Sequence, residues 1–117
     1  MLMKLRSRYL ALKVDSPGRF SSREIMEALW SALLRLFGEY GASRTGLRLI
    51  DYDEMNHVAI VHVSHKEVET IRAAVASITQ IESKPAAVHI IAVSGTIKAL
   101  RTKLKANAKR ISPNMQQ

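Results

Sequence analysis

The chain has 117 residues, 18 of them Lys or Arg and 10 Asp or Glu, for a formal charge of +8; 47% are apolar. That length holds one core rather than two, and folding should bury roughly two-thirds of the unfolded surface without metals or crosslinks. There is no cysteine, which excludes disulfide frameworks, thiolate zinc sites and cysteine nucleophiles and suits a reducing, cytoplasmic setting. No run approaches the ~20 apolar residues of a membrane span, and the first residues lack the apolar core of a signal peptide. A soluble, basic, cytoplasmic domain with no membrane partner is the expectation.

In chain order, residues 1–7 read as a basic extension. Arg8-Tyr-Leu-Ala-Leu-Lys-Val14 reads as a first strand with Leu10, Leu12 and Val14 on one face, and Asp15-Ser-Pro-Gly-Arg19 is turn chemistry. Ser21-Ser-Arg-Glu24 has the pattern of a capping box and opens an apolar helix to Phe37. Gly38 is then expected to stop it, leaving Glu39 to Gly46 as loop. Leu47–Tyr52 and His57–Val63 predict an antiparallel hairpin about a polar turn. Ser64-His-Lys-Glu67 repeats the capping pattern, and Val68, Ile71, Val75 and Ile78 recur at helical period. Ile81 to Pro85 breaks that pattern. Ala87 to Val93 predicts a strand buried on both faces, and Thr96 to about Ile111 a third helix. Residues 8–111 thus form one domain, with 112–117 a frayed tail.

The order βαββαβ plus a helix predicts an α+β fold. Its form is a ferredoxin-like or RNA-recognition-motif-like sandwich: a four-stranded antiparallel sheet with an extra C-terminal basic helix. That topology serves enzymes, sensors and RNA binders alike.

Charge is more informative. Residues 1–20 carry five basic groups and one acid, residues 21–95 seven and nine, and residues 96–117 six and none. All the excess sits at the two ends, the footprint of a polyanion binder, with nucleic acid the first candidate. On the third helix Lys98, Arg101, Lys105 and Lys109 fall within roughly 80° of arc. Ile97, Leu100, Leu104 and Ile111 form the neighbouring apolar stripe, so one face docks while the other presents cations. Ser94-Gly95-Thr96 is the strand-to-helix junction. Thr96 suits a cap, and the backbone N–H groups that follow make a candidate phosphate seat.

The first helix is apolar over roughly 180°, more than a core-facing stripe requires. Cover by the third helix or the N-terminal segment is the expectation, and a protein partner at Trp30 and Leu34 the alternative. The remaining signals are weak. The four histidines show no metal-ligand spacing, and Asp51, Asp53 and Glu54 read as a solvated turn rather than a cation site. No metal ligand, catalytic residue or chain-bound cofactor is expected. The first strand offers one aromatic, Tyr9, and the third none, so recognition should run through the RNA backbone rather than base stacking.

Val93-Ser-Gly-Thr-Ile-Lys98 with Ala-Leu-Arg-Thr-Lys103 carries a family resemblance. Arg8-Tyr-Leu-Ala-Leu-Lys13, Glu24-Ile-Met-Glu-Ala-Leu-Trp30, Gly38-Glu-Tyr-Gly41 and the stretch from His65 to Ala74 support it in order and spacing. Over about residues 8–105 the chain resembles protein component 2 of archaeal and eukaryotic ribonuclease P, in its short archaeal form. The resemblance implies a non-catalytic subunit of the endoribonuclease that removes the 5′ leader of precursor tRNA. Catalysis and Mg²⁺ would then belong to the RNA. The implied partners are ribonuclease P RNA, precursor tRNA and the TIM-barrel component 3, with self-association as the core of a heterotetramer. RNA contacts are implied at Lys98, Arg101, Lys103 and Lys105, supported by Arg6 and Arg8. A ferredoxin-like small-molecule-binding regulatory domain is the alternative. An acylphosphatase-type hydrolase has only Gly18-Arg19 in its favour.

Overall fold

The computed structural model describes residues 6–115, with side-chain surroundings as far as residue 106. Expectations for residues 1–5 and 116–117, and for the side chains of Lys109, Arg110 and Ile111, lie outside the described residues. The chain runs β1 (Ser7–Asp15), α1 (Ser22–Ser43), β2 (Arg48–Asp53) and β3 (Val58–Ser64). A 3₁₀ turn (His65–Glu67), α2 (Val68–Ser77), β4 (Gln80–Ile81), β5 (Lys84–Pro85), β6 (Ala87–Ser94) and α3 (Ile97–Met115) follow. The sheet order is β2-β3-β1-β6, antiparallel throughout, so the expected ferredoxin-like sandwich is what the sequence forms.

Strand alternation sorts two separate cores onto the two faces. Leu10, Leu12, Val61 and Val63 point to the face covered by Ile25, Leu29 and Leu33 of α1 and Ile71, Ala74 and Val75 of α2. Ala11, Ile60 and Ala92 point the other way, onto Leu100 of α3. The molecule therefore has three layers, two helices on one side of the sheet and the basic helix on the other. That placement corrects one expectation: α3 belongs to the opposite face and does not cover the surplus apolar surface of α1. Leu34 stays 46% exposed, Leu36 45%, Phe37 40% and Tyr40 75%.

The start of α1 is as its residues predict. The Ser21 hydroxyl accepts from the Glu24 N–H at 3.2 Å, and the Glu24 carboxylate accepts from the Ser21 N–H at 2.9 Å. Its end is not. Gly38 breaks the helix at φ 74°, ψ 178°, a conformation essentially reserved for glycine, but the chain then takes another helical turn to Ser43. A Cβ on Gly41 would lie 2.6 Å from the Phe37 Cβ, so the two sides of the kink pack tightly only without one. Gly38→Ala is expected to cost about 1–3 kcal/mol of unfolding free energy, read from urea denaturation.

The second capping pattern also acts differently. Ser64 makes no side-chain cap, its N–H donates to the Thr45 carbonyl at 2.8 Å, and the 3₁₀ turn precedes the α-helix. Ile81 to Pro85 is a tight β4–β5 hairpin whose corner residues, Glu82 and Ser83, take φ 51° and 67°. On β6, Val88 and Ala92 are buried, but His89 and Ile91 are exposed; a bulge at Ile91 puts Ala92 on the α3 face beside it and returns Val93 to the α1 face. A second bulge, at Ile50 on β2, sends both Ile50 and Asp51 to the α3 face and returns Tyr52 to the α1 face. There its hydroxyl donates to the Phe20 carbonyl at 2.9 Å.

Candidate nucleic-acid interface

The antiparallel register gathers one end of the sheet. Ser7 lies opposite Ser64, Tyr9 opposite both His62 and Ser94, and Arg48 opposite His62. The start of β1, the start of β2, the end of β3 and the β6–α3 junction are therefore neighbours. Arg6 is exposed there, and its carbonyl accepts from the His65 N–H at 3.1 Å. Arg8 is half-buried; its Nη1 donates to the Ser7 carbonyl at 2.9 Å and lies 3.7 Å from where a Gly95 Cβ would sit. Ser94 is half-buried at the end of β6, and Gly95 and Thr96 are exposed. The Thr96 hydroxyl accepts from the Ala99 N–H at 3.1 Å, the cap its position predicts. Arg8, Gly95 and Thr96 thus meet at a single junction.

From there α3 crosses the sheet. Leu100 is fully buried and Leu104 half-buried, while Lys98, Arg101, Lys103 and Lys105 are exposed. As far as Lys105, the docked stripe and the presented stripe are those the helical period predicts. The cations are not equivalent, however. Lys103 Nζ donates to the Val93 carbonyl at 2.6 Å, and Arg101 Nη2 donates to Asp51 Oδ2 at 3.2 Å. Among the described residues, Lys98 and Lys105 have no carboxylate within salt-bridge distance.

Arg48 escapes sequence reasoning because it lies in the charge-balanced middle of the chain. The hairpin register alone brings it, exposed, to the basic end of the sheet. Tyr9 is held edge-on against His62, ring centroids 5.6 Å apart, and packs on the α3 side. His62 is itself clamped, Nδ1 to the Gly46 carbonyl and Nε2 to the Ser7 hydroxyl, both at 2.8 Å. The sheet face on which related topologies stack bases is occupied by the protein's own helix.

The acidic turn uses its carboxylates internally. Asp51 serves Arg101, and Asp53 accepts from the Asn56 side chain at 2.7 Å. The Asn56 side-chain hydrogen bond, with a smaller backbone contribution, holds the Asp53 carboxyl below its ordinary range. Burial first, then the neighbouring Glu54 and Asp53 charges, pushes the Tyr52 phenol up. No three His, Asp or Glu side chains converge on a possible ion among the described residues. None of the described helices is long and apolar enough to cross a membrane. On the far face Trp30, half-buried, and Leu34 line an open groove of about 840 Å³ between α1 and the β4–β5 hairpin, with Ile81 at its base.

Comparison with known proteins matches the model of the Rpp14/Pop5 family to residues 8–105. The chain belongs to the Rpp14/Pop5 family. It is 35% identical over 98 residues to ribonuclease P protein component 2 of Pyrococcus furiosus, covering 84% of this chain and 82% of that one. With the component 2 of Thermococcus kodakarensis it shares 36% over 101 residues, covering 86% and 84%. A chain in the cryo-EM structure of yeast ribonuclease MRP superposes with a TM-score of 0.67 at 15% identity, covering 99% of this chain and 98% of that one. At that identity the likeness speaks for the fold alone. The family match also covers the stretches on which the sequence resemblance rests, β1 through Lys105 of α3.

Proposed function

We propose that this chain is a protein subunit of ribonuclease P, binding and stabilising the RNA that removes the 5′ leader of precursor tRNA. The observation that carries the reading is α3, a helix docked by its apolar stripe on the sheet's second face with its cations outward. Family membership supports the same reading. Folded RNA brings phosphates close together, and each approach costs Coulomb energy that fixed cations offset. Lys98 and Lys105 lie about 10 Å apart along the helix axis, the reach of a few successive phosphates. Because Leu100 fixes the helix, these charges are positioned before the RNA arrives.

Arg6, Arg8 and Arg48 extend the basic surface around the end of the sheet, and Ser94, Gly95 and Thr96 offer backbone donors beside Arg8. The chain contributes RNA fold and substrate positioning, not bond cleavage. Its donor sets do not fit a catalytic ion, since Asp51 and Asp53 are each committed elsewhere. On the family resemblance, the divalent ions are assigned to the RNA. The groove at Trp30 and Leu34, whose lining mixes apolar and charged side chains, is assigned to a protein subunit, the TIM-barrel component 3 or a second copy in a heterotetramer. A chain without cysteine suits the cytoplasm.

The test is cleavage of precursor tRNA by the ribonuclease P RNA of the same organism, at moderate Mg²⁺ with the TIM-barrel partner, with and without this chain. Cleavage that depends on the chain is the expected result. Folded protein that gives no stimulation would overturn the assignment.

A further inference from the structure

The interface contains one acid where an RNA-binding surface has least use for it. The three ion pairs among the described residues are Arg23–Glu27, Arg72–Glu69 and Arg101–Asp51. The first two join neighbours on one helix turn. Only the third links distant parts of the chain, β2 to α3, and it engages the middle cation of the basic row. Asp51 reaches Arg101 because of the Ile50 bulge; with regular alternation it would face α1 and α2. The carboxylate is held in that pose, since Oδ1 accepts from the Tyr52 N–H at 2.9 Å while Oδ2 accepts from Arg101 at 3.2 Å. Both side chains are about half exposed, 50% for Arg101 and 51% for Asp51, so the pair is open to exchange with an anion from solution.

We propose that Asp51 is a specificity-determining residue of the RNA site. Its carboxylate occupies Arg101 in the free protein and competes with phosphate for that guanidinium. An exposed pair of this kind is weak in water, so a phosphate placed to contact Lys98 and Lys105 as well displaces it, whereas an isolated phosphate gains less. The competitor lowers affinity for any polyanion and leaves the full cation row to an RNA whose phosphates fit it. The inference rests on the proposed RNA-binding role of α3.

Asp51→Asn tests it, because Asn keeps an oxygen for the Tyr52 N–H and removes only the charge. Binding to the ribonuclease P RNA and to an unrelated RNA duplex is measured from 0.05 to ~1 M salt, on the full chain and on D51N, R101A and D51N/R101A. One phosphate contact is worth ~0.7–0.9 in the slope of log K against log salt, and about fivefold in affinity at 0.1 M. D51N is expected to steepen the slope on the duplex by about that amount and tighten binding about fivefold, with a smaller gain on the ribonuclease P RNA. The gain should vanish in the R101A background. Asp51→Ser carries the same expectation if D51N does not fold.

An unchanged or shallower slope overturns the proposal, as does equal tightening on both RNAs. Weaker binding by D51N also overturns it, since the carboxylate would then serve only to dock α3. If the unsubstituted chain shows no salt-dependent binding to ribonuclease P RNA, the proposed function fails first, which separates the two failures.

Discussion

Replacing Lys98 and Lys105 by Glu and Arg101 by Gln is expected to lower affinity for ribonuclease P RNA at least ~100-fold at 0.1 M salt. Three phosphate contacts are removed, each worth ~0.7–0.9 in the salt slope, so the slope should flatten by about 2 to 2.7. Two of the replacements also add repulsion. Gln rather than Glu is chosen at position 101 because Asp51 sits 3.2 Å from the guanidinium. A second carboxylate there would add a local repulsion against Asp51 and mix an effect on α3 docking with the effect on binding. The substituted residues are exposed, and Glu and Gln are good helix formers, so Leu100 should remain docked. Circular dichroism and the melting temperature should therefore change little while binding collapses. Undiminished binding by folded variant protein would refute α3 as the RNA contact. The same variant should lose stimulation of precursor-tRNA cleavage in proportion.

How much of this site was readable beforehand depends on the range of the interaction. The α3 stripes follow from local periodicity, and the structure buries Leu100 and exposes Lys98, Arg101 and Lys105 accordingly. The Ser21–Glu24 box and the Thr96 cap are likewise local and form as their residues predict. What periodicity cannot specify is the surface against which a stripe packs. An apolar face on α1 and another on α3 invited pairing the two, yet the sheet lies between them. A positive φ at Gly38 suits a helix end and a helix break equally, and only the Phe37–Gly41 contact across the kink decides. The β4–β5 corner escaped notice because Glu82 and Ser83 occupy positions where glycine or asparagine is the usual signal. The Arg101–Asp51 pair depends on a one-residue bulge, and Arg48 on strand register. Those are global properties of the sheet that no local window contains.

The two-core arrangement makes Leu100 the most consequential single side chain for the interface. It is fully buried against Ala11, Ile60 and Ala92, and among the described side chains of α3 it is the only one fully buried, with Leu104 half-buried beside it. Leu100→Ala is expected to cost about 2–3 kcal/mol, the low end for a buried leucine because a surface helix can settle toward the gap. The loss should be local. The larger core of Leu10, Leu12, Leu29, Leu33 and Ile71 lies across the sheet and keeps all its contacts. Amide exchange should therefore accelerate through α3 residues 100–106 by about 30-fold or more, while the β1 and β3 amides slow to exchange keep most of their protection. RNA affinity should fall although every cation is still present, because the row is no longer fixed before binding. A uniform loss of protection across sheet and helix would mean that the two cores unfold as one unit. In that case the basic helix is part of the fold's foundation, not a separately docked RNA-binding layer.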